Sequence, residues 1–200
     1  MLKAFKLLVS VSVRLLIASA TRSGTTENTF AAVALSVHKL EVKTFKEFKE
    51  ALSKVIIGDS DFKLAFSNAR SSKADYARYY LRALECGFSE EKQPWYIIND
   101  DQSDITLEHI LPKNREKGGW NEFNEEDFNK FSKRLGNLCL LQKDTNSTIN
   151  NDSFVNKKPV FCNSPLHFTK NVSTYESWGP NEIENRQSLM ADCAIKTWPV

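Results

Sequence analysis

The chain has 200 residues, 41% hydrophobic and 26% charged, with 27 Lys and Arg against 25 Asp and Glu for a net charge of +2. These values place it among soluble globular chains with enough residues for a proper core. The near-neutral balance gives no argument for indiscriminate nucleic-acid binding.

The opening stretch, "MLKAFKLLVSVSVRLLIASATRS", imitates a secretory leader, but Arg14 interrupts it and Ser10 and Ser12 dilute it. Leu7, Leu8, Val11, Leu15 and Ala18 fall on one helical face opposite Lys6, Ser10 and Arg14, so an amphipathic helix over about residues 2–20 is expected. A leader removed near Thr21 is the competing reading. The apolar run is too short to cross a membrane. A helix from Glu27 to Lys39 follows the break at Gly24. "KTFKEFKEALSKVII" has helical spacing at Phe45, Phe48, Leu52, Val55 and Ile56, and Thr44 with Glu47 forms a capping box. "DFKLAFSNA" is a short helix, and "SKADYARYYLRALECG" is a strong one expected to stop at Gly87.

Near Pro94 the pattern changes. "WYIIND" and "DITLEHILP" read as strands, as does "NLCLLQKD", with a helix in "NEEDFNKFSKRLG" ending at Gly136. "DTNSTINNDSFVNKK" reads as a loop leading into a short helix, and a last helix opens at Pro180 with Ile183, Arg186, Met190 and Ala194 in helical spacing. Residues 128–170 carry Lys130, Lys133, Arg134, Lys143, Lys157, Lys158 and Lys170 against Asp144 and Asp152, a local basic patch suited to phosphate contact. The cysteines, Cys86, Cys139, Cys162 and Cys193, make no C-x-x-C pair, which argues against a zinc knuckle and for a reducing, cytoplasmic compartment. Cys139 inside "NLCLL" reads as a core residue.

"LEHILP" puts a carboxylate and an imidazole side by side in an apolar strand. Buried without partners, such a pair costs several kcal/mol. Alternation sends Glu108 and His109 to opposite faces unless the strand ends or bends there, and Pro112 makes an end near them plausible. A surface Glu and a half-buried His on an edge strand is the bland alternative. His38 and His167 belong to no motif, and Trp95, Trp120 and Trp178 read as packing residues.

Taken together, Glu108, His109, Ile110, Pro112, Asn137, Leu138, Leu141 and Asn146 resemble the HNH, or ββα-metal, nuclease motif. That motif has an acid-His-Ile-x-Pro strand, an Asn-Leu strand, and a helix residue nine positions after the strand's Asn. The order "RYYLRALE", "LEHILPKN", Trp120, "LGNLCLL", "NSTINNDSFVNKK", "IENRQSLMADCAIKTW" resembles the C-terminal domain of GmrSD-type restriction endonucleases. The resemblance implies an α+β fold, mostly helical, with an embedded ββα-metal hairpin-helix core. Residues 1–90 would be the helical segment preceding the core, and residues 91–200 the nuclease core with its C-terminal helix. It implies a metal-dependent endonuclease acting on DNA, modified or unmodified, in a restriction or defence role. It implies His109 as general base, and Glu108 and Asn146 as ligands of a single Mg²⁺ or Mn²⁺. Oxygen donors without thiolates suit such ions. Asn137 would support the loop carrying His109, and Lys157 or Lys158 would contact phosphate. Longer members carry a nucleotide-handling domain, so the chain is expected to be a fragment or one part of a split system. The motif usually has Asp where this chain has Glu108, which leaves the metal preference open. A non-catalytic module binding nucleic acid or a protein partner on the same scaffold is the alternative. The final helix is expected to pack Ile183, Met190 and Trp198 inward, with Arg186 paired to an acid.

Overall fold

The computed structural model describes residues 1–19, 24–88, 105–113, 120–149 and 151–200. "WYIIND" and Trp95 lie outside the described residues. Helices α1 (Leu2–Ile17), α2 (Gly24–His38), α3 (Phe45–Ala51), α4 (Asp59–Asn68) and α5 (Ala74–Phe88) precede strand β1 (Ile105–His109). Helix α6 (Glu125–Phe131) leads to β2 (Leu138–Gln142). Helices α7 (Lys143–Ile149), α8 (Phe154–Cys162), α9 (His167–Val172) and α10 (Pro180–Thr197) follow. The fold is α+β and mostly helical, as expected.

Helix α1 packs Leu7, Val11 and Leu15 against Val33, Leu52 and Val55. Its expected polar face is largely covered: Ser10 and Arg14 are buried and Lys6 is half-buried. Arg14 donates to the carbonyls of Trp198 (2.9 Å) and Ile57 (2.8 Å) and to Asp59 Oδ1 (2.6 Å). A buried guanidinium is tolerable when its donors are matched in this way, and here the matching ties the first helix to the chain's last residues. Among the described residues, no helix is long and apolar enough to cross a membrane. The four cysteines are free thiols, and Cys139 is buried.

The capping box is present. Glu47 N donates to Thr44 Oγ1 (3.2 Å), and Glu47 Oε2 accepts from the N–H groups of Thr44 (2.9 Å) and Lys43 (2.8 Å). The helix is shorter than its periodicity suggests, giving way to a 3-10 turn at Ser53–Val55. Gly87 does not end α5. It lies within the helix, where a Cβ would sit 2.5 Å from Thr197 Oγ1. The glycine is needed for the close approach of α10.

Helix α10 lies against α4 and α5. Met190, Ala191 and Ala194 join Phe62, Phe66, Tyr80, Leu81 and Leu84 in the larger core, and Trp198 sits among Phe62, Phe66, Tyr79 and Tyr80 with ring centroids 6.0–6.4 Å away. This core draws on residues before and after position 90.

The two strands pair antiparallel, with Thr106 opposite Leu141, Glu108 opposite Cys139 and His109 opposite Leu138. Alternation divides the sheet between two cores. Leu138 and Leu140, with Ile105 and Leu107, face the larger one. Cys139 and Leu141 face a second, containing Ile110, Leu111, Trp120, Phe154, Phe161 and Trp178.

Two local expectations are corrected here. The helix after Glu125 stops at Phe131, and a 3-10 turn at Leu135–Asn137 brings the chain into β2. The stretch "KDTNSTI", which composition assigned to a strand end and a loop and the motif resemblance to a helix carrying Asn146, is helix α7, entered directly from β2. Among the described residues Arg186 pairs with no acid by hydrogen bond. Fully buried, it donates from Nη1 to the carbonyls of Gly136 (2.6 Å) and Leu138 (3.0 Å) and from Nη2 to that of Phe168 (3.0 Å). Backbone carbonyls of the β2 start and α9 take its two terminal nitrogens where a carboxylate was expected, and its Nε has no partner among the described residues. At Gly136 a Cβ would sit 2.4 Å from the Ile183 carbonyl, so α10 can rest on this turn only over a glycine.

Candidate active site

Strand β1 is short and amphipathic in an unusual way, with Glu108 turned into the protein and 7% exposed. The reason lies on α8. Phe154, Lys157 and Phe161 share its buried face at helical spacing. Lys157 is fully buried, and its ammonium donates to Glu108 Oε1 (2.5 Å), His109 O (3.0 Å) and Ile110 O (3.3 Å). An ammonium has three protons, and three acceptors surround this one. Burial raises the Glu108 pKa above the usual carboxylate value, and the Lys157 charge and hydrogen bond oppose that rise. Lys157 takes one carboxylate oxygen, leaving Oε2 with no side-chain partner among the described residues.

This arrangement differs from the expectation for Lys157. With its protons committed at the end of β1, it has none for a phosphate. Lys158, half-buried on the next position of α8, donates to the Tyr175 carbonyl at 2.7 Å.

His109 is half-buried at the last position of β1. Burial first, then the Lys113 and Lys157 charges, push its pKa down to about 4. The imidazole is therefore neutral at physiological pH, and a weaker base than an unperturbed histidine.

The chain beyond His109 is fixed by Asn137, which is fully buried. Its Oδ1 accepts from Leu111 N (2.8 Å) and Trp178 Nε1 (3.1 Å), and its Nδ2 donates to the carbonyls of Leu111 (2.9 Å) and Ser132 (3.1 Å). Ile110 N donates to the Asn137 backbone carbonyl at 3.0 Å. One amide thus holds the turn on both its N–H and C=O sides, using all four of its hydrogen-bonding positions.

Asn146 lies on α7 over the Thr106–Glu108 side of the sheet. Its Nδ2 donates to Thr106 Oγ1 (2.8 Å) and approaches the Leu107 carbonyl (3.4 Å). Because that carbonyl only accepts, the amide orientation is set, and Oδ1 points away from it. Thr106 and Glu108 are two positions apart on one face, so Glu108 and Asn146 belong to the same side of the hairpin.

Among the described residues, no group of three or more His, Cys, Asp or Glu could hold a metal ion. One carboxylate and one amide oxygen are donor types that a hard divalent cation takes, whereas the Lys157 ammonium on Glu108 opposes a second cation there. They do not fit a thiolate-loving ion. Thr106 and Trp178 carry parts of the arrangement that sequence reasoning did not assign to it. Lys157 had a visible signal in its spacing to Phe154 and Phe161.

The family model described as "GmrSD restriction endonucleases, C-terminal domain" matches residues 56–193. A comparison with curated proteins gives no match.

Proposed function

Because the chain belongs to the family of GmrSD restriction endonuclease C-terminal domains, we propose that it is a metal-dependent DNA endonuclease of HNH type. The observation that carries this reading is the β1–β2–α7 arrangement. It sets Glu108 and the Asn146 amide on one side of a hairpin, with a neutral His109 at the strand end.

In this reading Glu108 and Asn146 would hold a single Mg²⁺ or Mn²⁺. The bound ion would stabilise the charge that builds on the phosphate and the leaving oxygen. His109, neutral at working pH, takes the proton from the attacking water at a ring nitrogen. Asn137 keeps the Leu111 turn, and with it the His109 backbone, in one position. Lys157 fixes the His109 and Ile110 carbonyls and keeps Glu108 ionisable in its buried place. DNA, modified or unmodified, is the substrate, and a nucleotide-handling domain or subunit is the partner this reading assigns.

Supercoiled plasmid incubated with purified protein and Mn²⁺ or Mg²⁺ tests it. Nicking that disappears in EDTA and in His109→Ala is expected. One observation favours a second reading, a non-catalytic module: Glu108 is already paired with Lys157. Absence of metal-dependent nicking on both unmodified and base-modified DNA would select that reading instead.

A further inference from the structure

Four exposed cations converge on a seam between two stretches far apart in the chain. Leu135 N donates to Ala69 O (3.1 Å) and Ser71 N to Lys133 O (2.9 Å), and Arg70 and Arg134 form an isolated antiparallel bridge. The α4–α5 connection is thereby stitched to the segment between α6 and β2. Around the seam stand Arg70, Lys73, Lys130 and Lys133, all exposed. None forms an ion pair with a carboxylate among the described residues. Carbonyls and aromatic faces hold three of them instead. Arg70 Nη2 donates to the Asn129 carbonyl (2.8 Å), Lys73 lies 5.1 Å from the Tyr76 ring centre, and Lys130 lies 4.7 Å from that of Phe131.

Beneath them Arg134 is buried, bonded to Gln187 Oε1 (3.0 Å) and the Ser67 carbonyl (2.6 Å). Burial lowers its pKa, Glu184 opposes the shift, and the Arg70 charge adds to it. Arg70 and Arg134 are near enough to repel each other, a repulsion that an anion at the seam would relieve. A groove of about 580 Å³ opens beside the seam, lined in part by Asn68, Arg70, Ser72, Lys73 and Tyr76.

We propose that this seam is an anchor for a nucleic-acid phosphate backbone, separate from the Glu108–His109 centre. The proposal rests on the endonuclease reading and names the surface on which the substrate would be gripped. Chain geometry keeps the anchor within working distance of the chemistry. Lys133 precedes Leu138, the cross-strand partner of His109, by five positions. At the chain's extended reach plus one strand spacing, Lys133 is within about 22 Å of His109, or roughly six base pairs of duplex. The cations track phosphates and carry no base specificity.

Fluorescence anisotropy of a labelled duplex in EDTA, across a series of NaCl concentrations, tests the anchor without cleavage. Arg70→Ala/Lys133→Ala is expected to weaken binding about tenfold or more near physiological salt, and to reduce the slope of log affinity against log salt by about 2. Lys130→Ala/Lys133→Ala, which removes no hydrogen bond to a described residue, is expected to do the same, with a melting temperature unchanged. Arg70→Lys should restore most of the lost affinity. If the wild type binds the duplex and both double variants match it in affinity and slope, the anchor is refuted while the endonuclease reading stands. If the wild type neither binds nor cuts DNA, the endonuclease reading falls and the anchor with it.

Discussion

Arg186 and Lys157 are both fully buried helix cations that donate to backbone carbonyls at the His109–Leu138 end of the hairpin. Arg186 meets carbonyls only. Lys157 meets two carbonyls and the Glu108 carboxylate. The first is a pin that fastens α10 and α9 to β2. The second does the same work for α8 and β1 while also compensating a buried charge. A buried cation without a carboxylate indicates architecture. Lys157, unlike Arg14 with its exposed Asp59, holds a carboxylate inside the protein despite the cost of burial, and such positions are where function concentrates.

The largest effects should come from breaking the two pins. Arg186→Met orphans three carbonyls and is expected to cost about 3 kcal/mol or more, and Lys157→Met, which leaves Glu108 without its counter-charge, a similar amount. Urea unfolding in a Glu108→Gln background separates them. There, Lys157→Met should become milder by about 1–2 kcal/mol, whereas Arg186→Met should cost the same. Equal penalties for Lys157→Met in both backgrounds would show that the Lys157–Glu108 pairing contributes nothing.

Next in size is Asn137→Ala. It removes the amide that ties Leu111 to Trp178 and Ser132, and it should destabilise the protein by about 2–3 kcal/mol. Asn137→Asp keeps the acceptor side but lacks the donor to the Leu111 and Ser132 carbonyls, so it is expected to fall in the same range.

A pH effect comes third. The His109 pKa lies at about 4 in the folded protein, below its ordinary 6.5, so folding favours the neutral ring. Its contribution is present above pH 6.5 and is lost as pH falls through about 4. Glu108 is shifted upward, and its linkage has the opposite sense, with stabilisation present at low pH and lost as pH rises. Metal-free protein should therefore lose thermal stability on acidification from pH 6.5 to 4, and His109→Gln should flatten that limb. An unchanged acid limb in the variant would assign it to other groups.

The smallest effect on stability should belong to the residue with the largest consequence for chemistry. Asn146 is half-buried and makes two hydrogen bonds, one of them long. Asn146→Ala should change unfolding free energy by about 1 kcal/mol or less while abolishing nicking. A loss of activity that merely followed the loss of stability would argue for a structural role.

The two pins also mark what was legible in the sequence. Glu108 and His109 stand out because a carboxylate and an imidazole in an apolar run need an explanation, Asn137 and Asn146 were picked out by the resemblance to the nuclease motif, and "LEHILP" and "NLCLL" each supply part of a strand. The Thr44–Glu47 box and the Pro180 start were equally readable, since capping is local. The buried cations were not. Periodicity put Arg14 on a polar face, yet that face is covered by the Trp198 and Ile57 carbonyls. Arg186 was given an acid because pairing by charge is the simplest rule, whereas carbonyls at a strand start serve as well. Composition hid helix α7 because "KDTNSTI" is rich in weak helix formers. Tertiary contacts hold it: Ile149 is buried, and Asn146 is tied to Thr106.

Calorimetric titration of the metal-free protein with Mn²⁺ tests the central claim most directly. The account predicts one bound ion for the wild type, with affinity reduced at least about tenfold in both Glu108→Gln and Asn146→Ala. Titration curves for those two variants that overlay the wild type would contradict it.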